Sequence, residues 1–212
     1  MWTGLTPLQA LATNKLQAVF GSLTASLNFI HKGQIDLRVM ALCVASSFLG
    51  AAIGSLGVQQ LHPGLLQHLI PLLLIGFALY FLISPRVGDA DAHQRIGLPL
   101  FALSAGFGIG FYDGFFGPGT GTFFAMAFVA LLGYNLRRAT AHAKLLNFTS
   151  NLAALVFFLI GGKLVWTIGL CMAAGQVAGA WLGSHMVLRH GARLVRPLLV
   201  TVSVAMSVKL LL

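Results

Sequence analysis

The sequence contains no glutamate, and its four acids are all aspartate: Asp36, Asp89, Asp91 and Asp113. Charged residues make up only 8% of the 212 positions. A soluble domain carries about 25%, so a soluble globular protein is excluded. A disordered chain is excluded too, because it would be poor in apolar residues and 58% of this one is hydrophobic. The two cysteines, Cys43 and Cys171, are too few for a secreted disulfide scaffold. Both fall inside apolar runs and read as small packing residues. What is present in quantity is apolar sequence, with a mean hydropathy of +0.89. The fold class that remains is all-α: a polytopic membrane helix bundle.

Basic residues outnumber acids 13 to 4, for a net charge of +9. In a soluble domain that balance points to nucleic acid. Here the Lys and Arg residues stand singly or in pairs between apolar runs, the pattern that sets membrane orientation. The expected surroundings are the lipid bilayer, and no nucleic-acid partner is expected.

Eight apolar segments are predicted, at about 8–31, 38–58, 64–84, 97–114, 120–134, 138–160, 164–187 and 194–212. A span needs ~20 residues; the segment 120–134 is short. A polar linker over 85–95, holding Asp89 and Asp91, divides the chain into 1–84 and 96–212.

The two parts are related. A shift of 129 residues aligns 12–83 with 141–212 without a gap. Lys15 then meets Lys144, Phe29 meets Phe158 and Gly33 meets Gly162. Gly50-Ala51-x-x-Gly54-Ser55 meets Gly179-Ala180-x-x-Gly183-Ser184. A shared Lys and a shared Gly-Ala-x-x-Gly-Ser block argue against compositional coincidence, and duplicated halves are a transporter signature. Met1 aligns with Ala130, so residues 95–129 have no first-half counterpart. The expectation is two repeats, the first truncated at its N-terminus.

If every segment crosses, Lys32, Arg38, Arg86, Arg95, Arg137, Arg138, Lys144, Arg189, Arg193 and Arg196 share one side, leaving Lys15, Lys163 and Lys209 on the other. If 120–134 only dips in and returns, the two sides become nearly equal. The positive-inside rule favours the first arrangement. Each complete repeat would then hold an odd number of segments, and the halves would be inverted.

The segment Gly-Phe-Tyr-Asp-Gly-Phe-Phe-Gly-Pro-Gly-Thr-Gly, 110–121, stands out. Gly117, Gly119 and Gly121 open backbone conformations closed to other residues, and Pro118 interrupts a helix. A broken helix in lipid is tolerated where it is buried or lines a cavity. The N–H groups freed at the start of 120–134 would suit an anion, with the Thr120 hydroxyl beside them. The bland alternative is a tight interhelical turn. Asp113 is the one acid within an apolar segment. It is either a coupling residue, as intramembrane ionisable groups tend to be, or a cap for the helix beginning near Thr120.

Lys144, Asn147, Ser150 and Asn151 share roughly one helical face. An ammonium, two amides and a hydroxyl suit an oxyanion, whereas interhelical hydrogen bonding is the bland reading. Around the repeat mate Lys15 lie Thr13 and Asn14. The stripes Gly50-x-x-x-Gly54 and Gly175-x-x-x-Gly179-x-x-x-Gly183 read as close-packing faces. No pair among the seven His has metal spacing, and His142 is expected in a loop. No nucleophile–base pair, P-loop or redox motif appears, so neither an enzyme nor a cofactor is expected.

These residues resemble a known family. Ala12-Thr13-Asn14-Lys15-Leu16-Gln17, followed by Gly33-Gln34-Ile35-Asp36, is similar to the first-half signature of the sulfite exporter TauE/SafE family. The glycine-rich 110–121 segment resembles its second-half signature. The resemblance implies a multi-pass permease of the bacterial inner membrane that carries sulfite, sulfonates or related organosulfur anions. The expected site takes a small anionic substrate at Gly117, Gly119, Thr120, Gly121, Lys144, Asn147, Ser150 and Asn151. Thr13, Asn14 and Lys15 would add a first-half contribution, and Asp113 would couple. A homo-oligomer is compatible with this reading. The alternative is a non-transporting membrane scaffold or a degenerate, truncated permease.

Overall fold

A computed structural model describes residues 4–62, 64–65 and 93–190 of the chain. Six helices carry the described fold: α1 (Pro7–His31), α2 (Leu37–Gln59), α3 (Leu98–Phe115), α4 (Thr120–Leu132), α5 (Leu136–Ile160) and α6 (Trp166–His190). Among the described residues there is no strand. The expected segments 64–84 and 194–212, and most of the linker 85–95, lie outside the described residues. The other six match the observed helices to within a few residues.

Local sequence explains the helix ends. Thr6 and Gln9 form a capping box at the start of α1, where side chain and backbone satisfy each other. The Asp36 carboxylate accepts from Arg38 N at 2.9 Å and caps α2. Asn135 caps α5 by accepting from Arg138 N at 2.9 Å. α3 contains a π turn over Ala102–Gly106.

Among the described residues, three helices are long and apolar enough to cross a membrane: α2, α3 and α5. α4, with 13 residues, rises only ~20 Å. Helix direction follows from the contacts at the ends. The Thr13 hydroxyl accepts from Val165 N at 3.3 Å, so α1 begins where α5 has just ended. Lys32, after α1, and Arg137, in the first turn of α5, line one pocket. α1 and α5 therefore run antiparallel. α2 runs with α5: the Ser47 hydroxyl donates to Leu146 O, and the Gln59 amide donates to Phe157 O. Arg95 N and Ile96 N both donate to Leu131 O, so α3 starts where α4 finishes. Lys32, Arg38, Arg95, Arg137, Arg138 and Arg189 thus gather at one end of the bundle, and Lys163 lies at the other.

α3 and α4 form a hairpin whose ends share the basic end of the bundle. α3 lies against α2 at backbone contact. A Cβ added to Gly50 would stand 2.8 Å from Phe111 N, and one on Gly54 would stand 2.9 Å from Phe115 N. In return, a Cβ on Gly114 would stand 2.7 Å from Ala51 Cα. The expected packing stripe on α2 is therefore real, and its partner is α3. The α6 stripe behaves otherwise: no described residue comes within 4 Å of a Cβ added to Gly175, Gly179 or Gly183. Cys43 is buried, but Cys171 is exposed, so Cys171 is not the interior packing residue that the sequence suggested.

Three apolar clusters fill the interior among the described residues; the smallest is Leu16, Val19 and Leu155, and the other two lie towards opposite ends. The larger, towards the basic end, includes Phe29, Met40, Cys43, Phe101, Phe124, Phe128 and Leu146. Phe101 and Phe128 pack with ring centroids 4.6 Å apart. The smaller, towards the far end, joins Leu11, Val58, Phe116, Ala154 and Phe158. Lys15 on α1 and Asp113 on α3 fall between these two, as do Asn147, Ser150 and Asn151 on α5, whereas Lys144 sits among residues of the larger cluster, between Ala143 and Leu145. Low polarity around the buried Lys15 and Asp113 makes each of their polar contacts count for more.

Candidate functional site

The helix break predicted at 117–119 occurs. α3 ends at Phe115 and α4 begins at Thr120. Gly117 and Gly119 take φ of 101° and 80°, conformations that cost other residues dearly. The Tyr112 hydroxyl donates to Pro118 O and closes the loop. That tyrosine did not stand out in the sequence, although it directly precedes Asp113.

Asp113 is the centre of the arrangement. It is 1% exposed, as is Lys15. Lys15 Nζ lies 2.7 Å from Asp113 Oδ1 and also donates to Asp113 O. The Thr120 hydroxyl lies 2.9 Å from Asp113 Oδ1 and 2.6 Å from Gly117 O. The Ser150 hydroxyl donates to Asp113 Oδ2. One carboxylate thus ties together α1, α3, α4 and α5. A buried charge is tolerable when paired and hydrogen-bonded, and both oxygens of Asp113 are occupied. The two sequence alternatives for Asp113 merge here: its Thr120 contact does bind the start of α4, and its main partner is the first-half lysine.

The loop is flanked by both lysines that the 129-residue shift aligns, Lys15 and Lys144. A Cβ on Gly117 would stand 2.7 Å from Lys15 Nζ, while one on Gly121 would stand 4.0 Å from Lys144 Nζ and 3.8 Å from Asn147 Nδ2. The lysines differ in their partners. Lys15 is consumed by Asp113. Lys144 makes no ion pair or side-chain hydrogen bond among the described residues. The amides of Gly119 and Gly121 also make no hydrogen bond among the described residues. They belong to the N-terminus of α4, where unpaired N–H groups carry partial positive charge. Asn151 Nδ2 donates to Asn147 O and Oδ1, at 2.6 and 3.0 Å, and so orients the Asn147 amide.

Gly117, Gly119, Thr120, Gly121, Lys144, Asn147, Ser150, Asn151, Lys15 and Asp113 are therefore neighbours around one loop. Thr13 and Asn14 are placed elsewhere. Thr13 is buried against the start of α6 through Val165 N. Asn14 is exposed and accepts from Gln17 Nε2 at 2.6 Å. His142 is not in a loop. It is buried within α5, its Nδ1 2.8 Å from Arg138 O, and its ring packs beside the stacked rings of Phe128 and Tyr134. Among the described residues, no three His, Cys or Asp come together as a metal site.

The chain is similar to known membrane proteins. The family model described as Sulfite exporter TauE/SafE matches residues 1–210. The chain is 50% identical over its whole length to the Escherichia coli K12 protein called probable membrane transporter protein YfcA, covering 78% of that protein. It is 46% identical over 99% of its length to a probable membrane transporter protein of Haemophilus influenzae, covering 82% of that protein. A Sinorhizobium protein named probable membrane transporter protein ORF9 is 44% identical over 98% of the chain and is covered to 80%. No solved structure matches. The chain is a membrane transporter, and it belongs to the sulfite exporter TauE/SafE family.

Proposed function

We propose that this transporter is a permease for small sulfur-containing oxyanions such as sulfite or a sulfonate. The observation that carries the reading is the unpartnered Lys144 ammonium facing the start of α4, beside Asn147 and Gly121. An oxyanion there would accept from Lys144 Nζ, from Asn147 Nδ2 and from the unbonded amides of Gly119 and Gly121. The helix-terminus dipole adds attraction at the same point. Lys15 enters through Asp113 rather than by touching the anion. With Lys15 neutralised by Asp113, Lys144 supplies the one uncompensated positive charge at the loop.

Asp113 is the proposed coupling residue. While ionised it holds Lys15, Thr120 and Ser150 together, and so pins the α3–α4 hairpin to α1 and α5. Adding a proton to Asp113 would weaken that attachment and let the hairpin shift. The antiparallel run of α1 and its repeat mate α5 supports an inverted duplication. So do the similar φ values of the repeat mates Gly33 and Gly162, 65° and 63°. Inverted halves place substrate at the repeat interface. The inner membrane of a bacterium is the proposed location.

Flux in proteoliposomes tests this. Lys144→Ala or Gly119→Val is expected to abolish sulfite or sulfonate flux. Unchanged flux in folded Lys144→Ala protein would sink the assignment.

A further inference from the structure

A second basic feature lies at the other end of α1, far from the Asp113 loop. Lys32, Gln34, Arg137, His185, Leu188 and Arg189 line a pocket of about 370 Å³. They come from the end of α1, the turn before α2, the first turn of α5 and the last two turns of α6. Three side chains carry permanent positive charge, and no acid is among the described lining residues. Lys32, Arg137 and Arg189 make no side-chain hydrogen bond or ion pair among the described residues. The nearest acid in sequence, Asp36, already accepts from Arg38 N and Val39 N at the start of α2.

His185 is held in place. Its Nδ1 lies 2.8 Å from Trp181 O and 3.4 Å from Asn28 Nδ2, and its ring centroid is 4.6 Å from that of Trp181. Asn28 also donates to the Ser184 hydroxyl at 2.7 Å, fastening α6 to α1. The pocket wall is thus braced. Three like charges converging on one concavity repel each other unless an anion sits among them. Basic pockets between transmembrane helices on the basic side are suited to phosphate headgroups. Arg137 and Arg189 offer planar forks that match phosphate oxygens, and Leu188 gives the pocket an apolar edge.

We propose that this pocket binds a phosphate-type oxyanion, supplied by the headgroup of an anionic phospholipid or by free phosphate on the same side. It is separate from the transport site, and nothing in its argument depends on the substrate assigned above. The test uses the full chain, purified and reconstituted in nanodiscs. Melting temperature is measured in phosphatidylcholine alone, in phosphatidylcholine with added inorganic phosphate, and in mixed phosphatidylcholine and phosphatidylglycerol.

At least one addition is expected to raise the melting temperature by several degrees. The double variant Arg137→Gln/Arg189→Gln should lose most of that rise, while Arg38→Gln, outside the pocket, should keep it. A response to phosphatidylglycerol alone identifies a lipid headgroup, and a response to inorganic phosphate alone identifies the free ion. No response to either, or a response equal in the double variant and the parent, overturns the proposal. If the double variant does not fold, Lys32→Gln takes its place with the same criterion. Lys144→Ala should respond like the parent, which keeps a failure here distinct from a failure of the transport reading.

Discussion

Lys15 Nζ sits 2.7 Å from Asp113 Oδ1, joining residues 98 positions apart in the chain. Both are buried between two apolar layers, so the pair is the hinge on which the α3–α4 hairpin is fastened to α1.

Removing one member should be worse than removing both. Breaking a buried pair by deleting one partner costs about 3–5 kcal/mol, because the other charge is left uncompensated. Lys15→Met and Asp113→Asn are each expected to lower the thermal midpoint in detergent clearly. The double variant should recover part of that loss. Additive losses in the double variant would show that the two residues are not coupled.

The α2–α3 contact makes a steric prediction. Gly114→Ala puts a methyl group 2.7 Å from Ala51 Cα, and overpacking of this kind costs about 1–3 kcal/mol or more. A Cβ on Gly57 meets no described residue within 4 Å, so Gly57→Ala should be tolerated. The yield of monodisperse protein and its melting temperature separate the two, and equal behaviour would contradict the close approach.

Gly121 offers a finer probe of the transport site than the strained glycines before it. A Cβ there meets Asn147 Nδ2 at 3.8 Å and Lys144 Nζ at 4.0 Å, ordinary contact distances. Gly121→Ala should therefore fold with normal stability yet crowd the space assigned to the anion. The expected outcome is a several-fold loss of flux with an unchanged melting temperature. Full flux would show that the anion does not pass between Gly121 and Lys144.

The directions of the helices can be read chemically. Arg137 begins α5, and Lys163 follows its end. In a variant lacking Cys43 and Cys171, Arg137→Cys and Lys163→Cys should react with a membrane-impermeant maleimide from opposite sides. The positive-inside rule assigns Arg137 to the cytoplasmic side. Labelling of both from one side would mean that α5 does not cross.

Much of the fold was legible because it is local. Helices α1 to α6 follow from apolar runs closed by Thr6, Asp36, Asn135 and the glycines, all signals carried within a few residues. The broken helix at Pro118 was equally legible, since proline and glycine restrict the backbone wherever they occur. Gly50 and Gly54 announced a close contact, but their partner, the α3 backbone, is some sixty positions away and leaves no local trace. Cys171 misled, because an apolar run does not say which helix face is inside when both sides of the helix are apolar.

The candidate site divides along the same line. Composition and periodicity alone determined a membrane bundle with a glycine-rich break, an intramembrane acid and two repeat-mate lysines. Only the tertiary structure decided which lysine the acid takes. Asp113 pairs with Lys15 and leaves Lys144 without a partner among the described residues at the start of α4. That choice rests on how four helices bring distant side chains within hydrogen-bonding distance, a relation no spacing along the chain encodes.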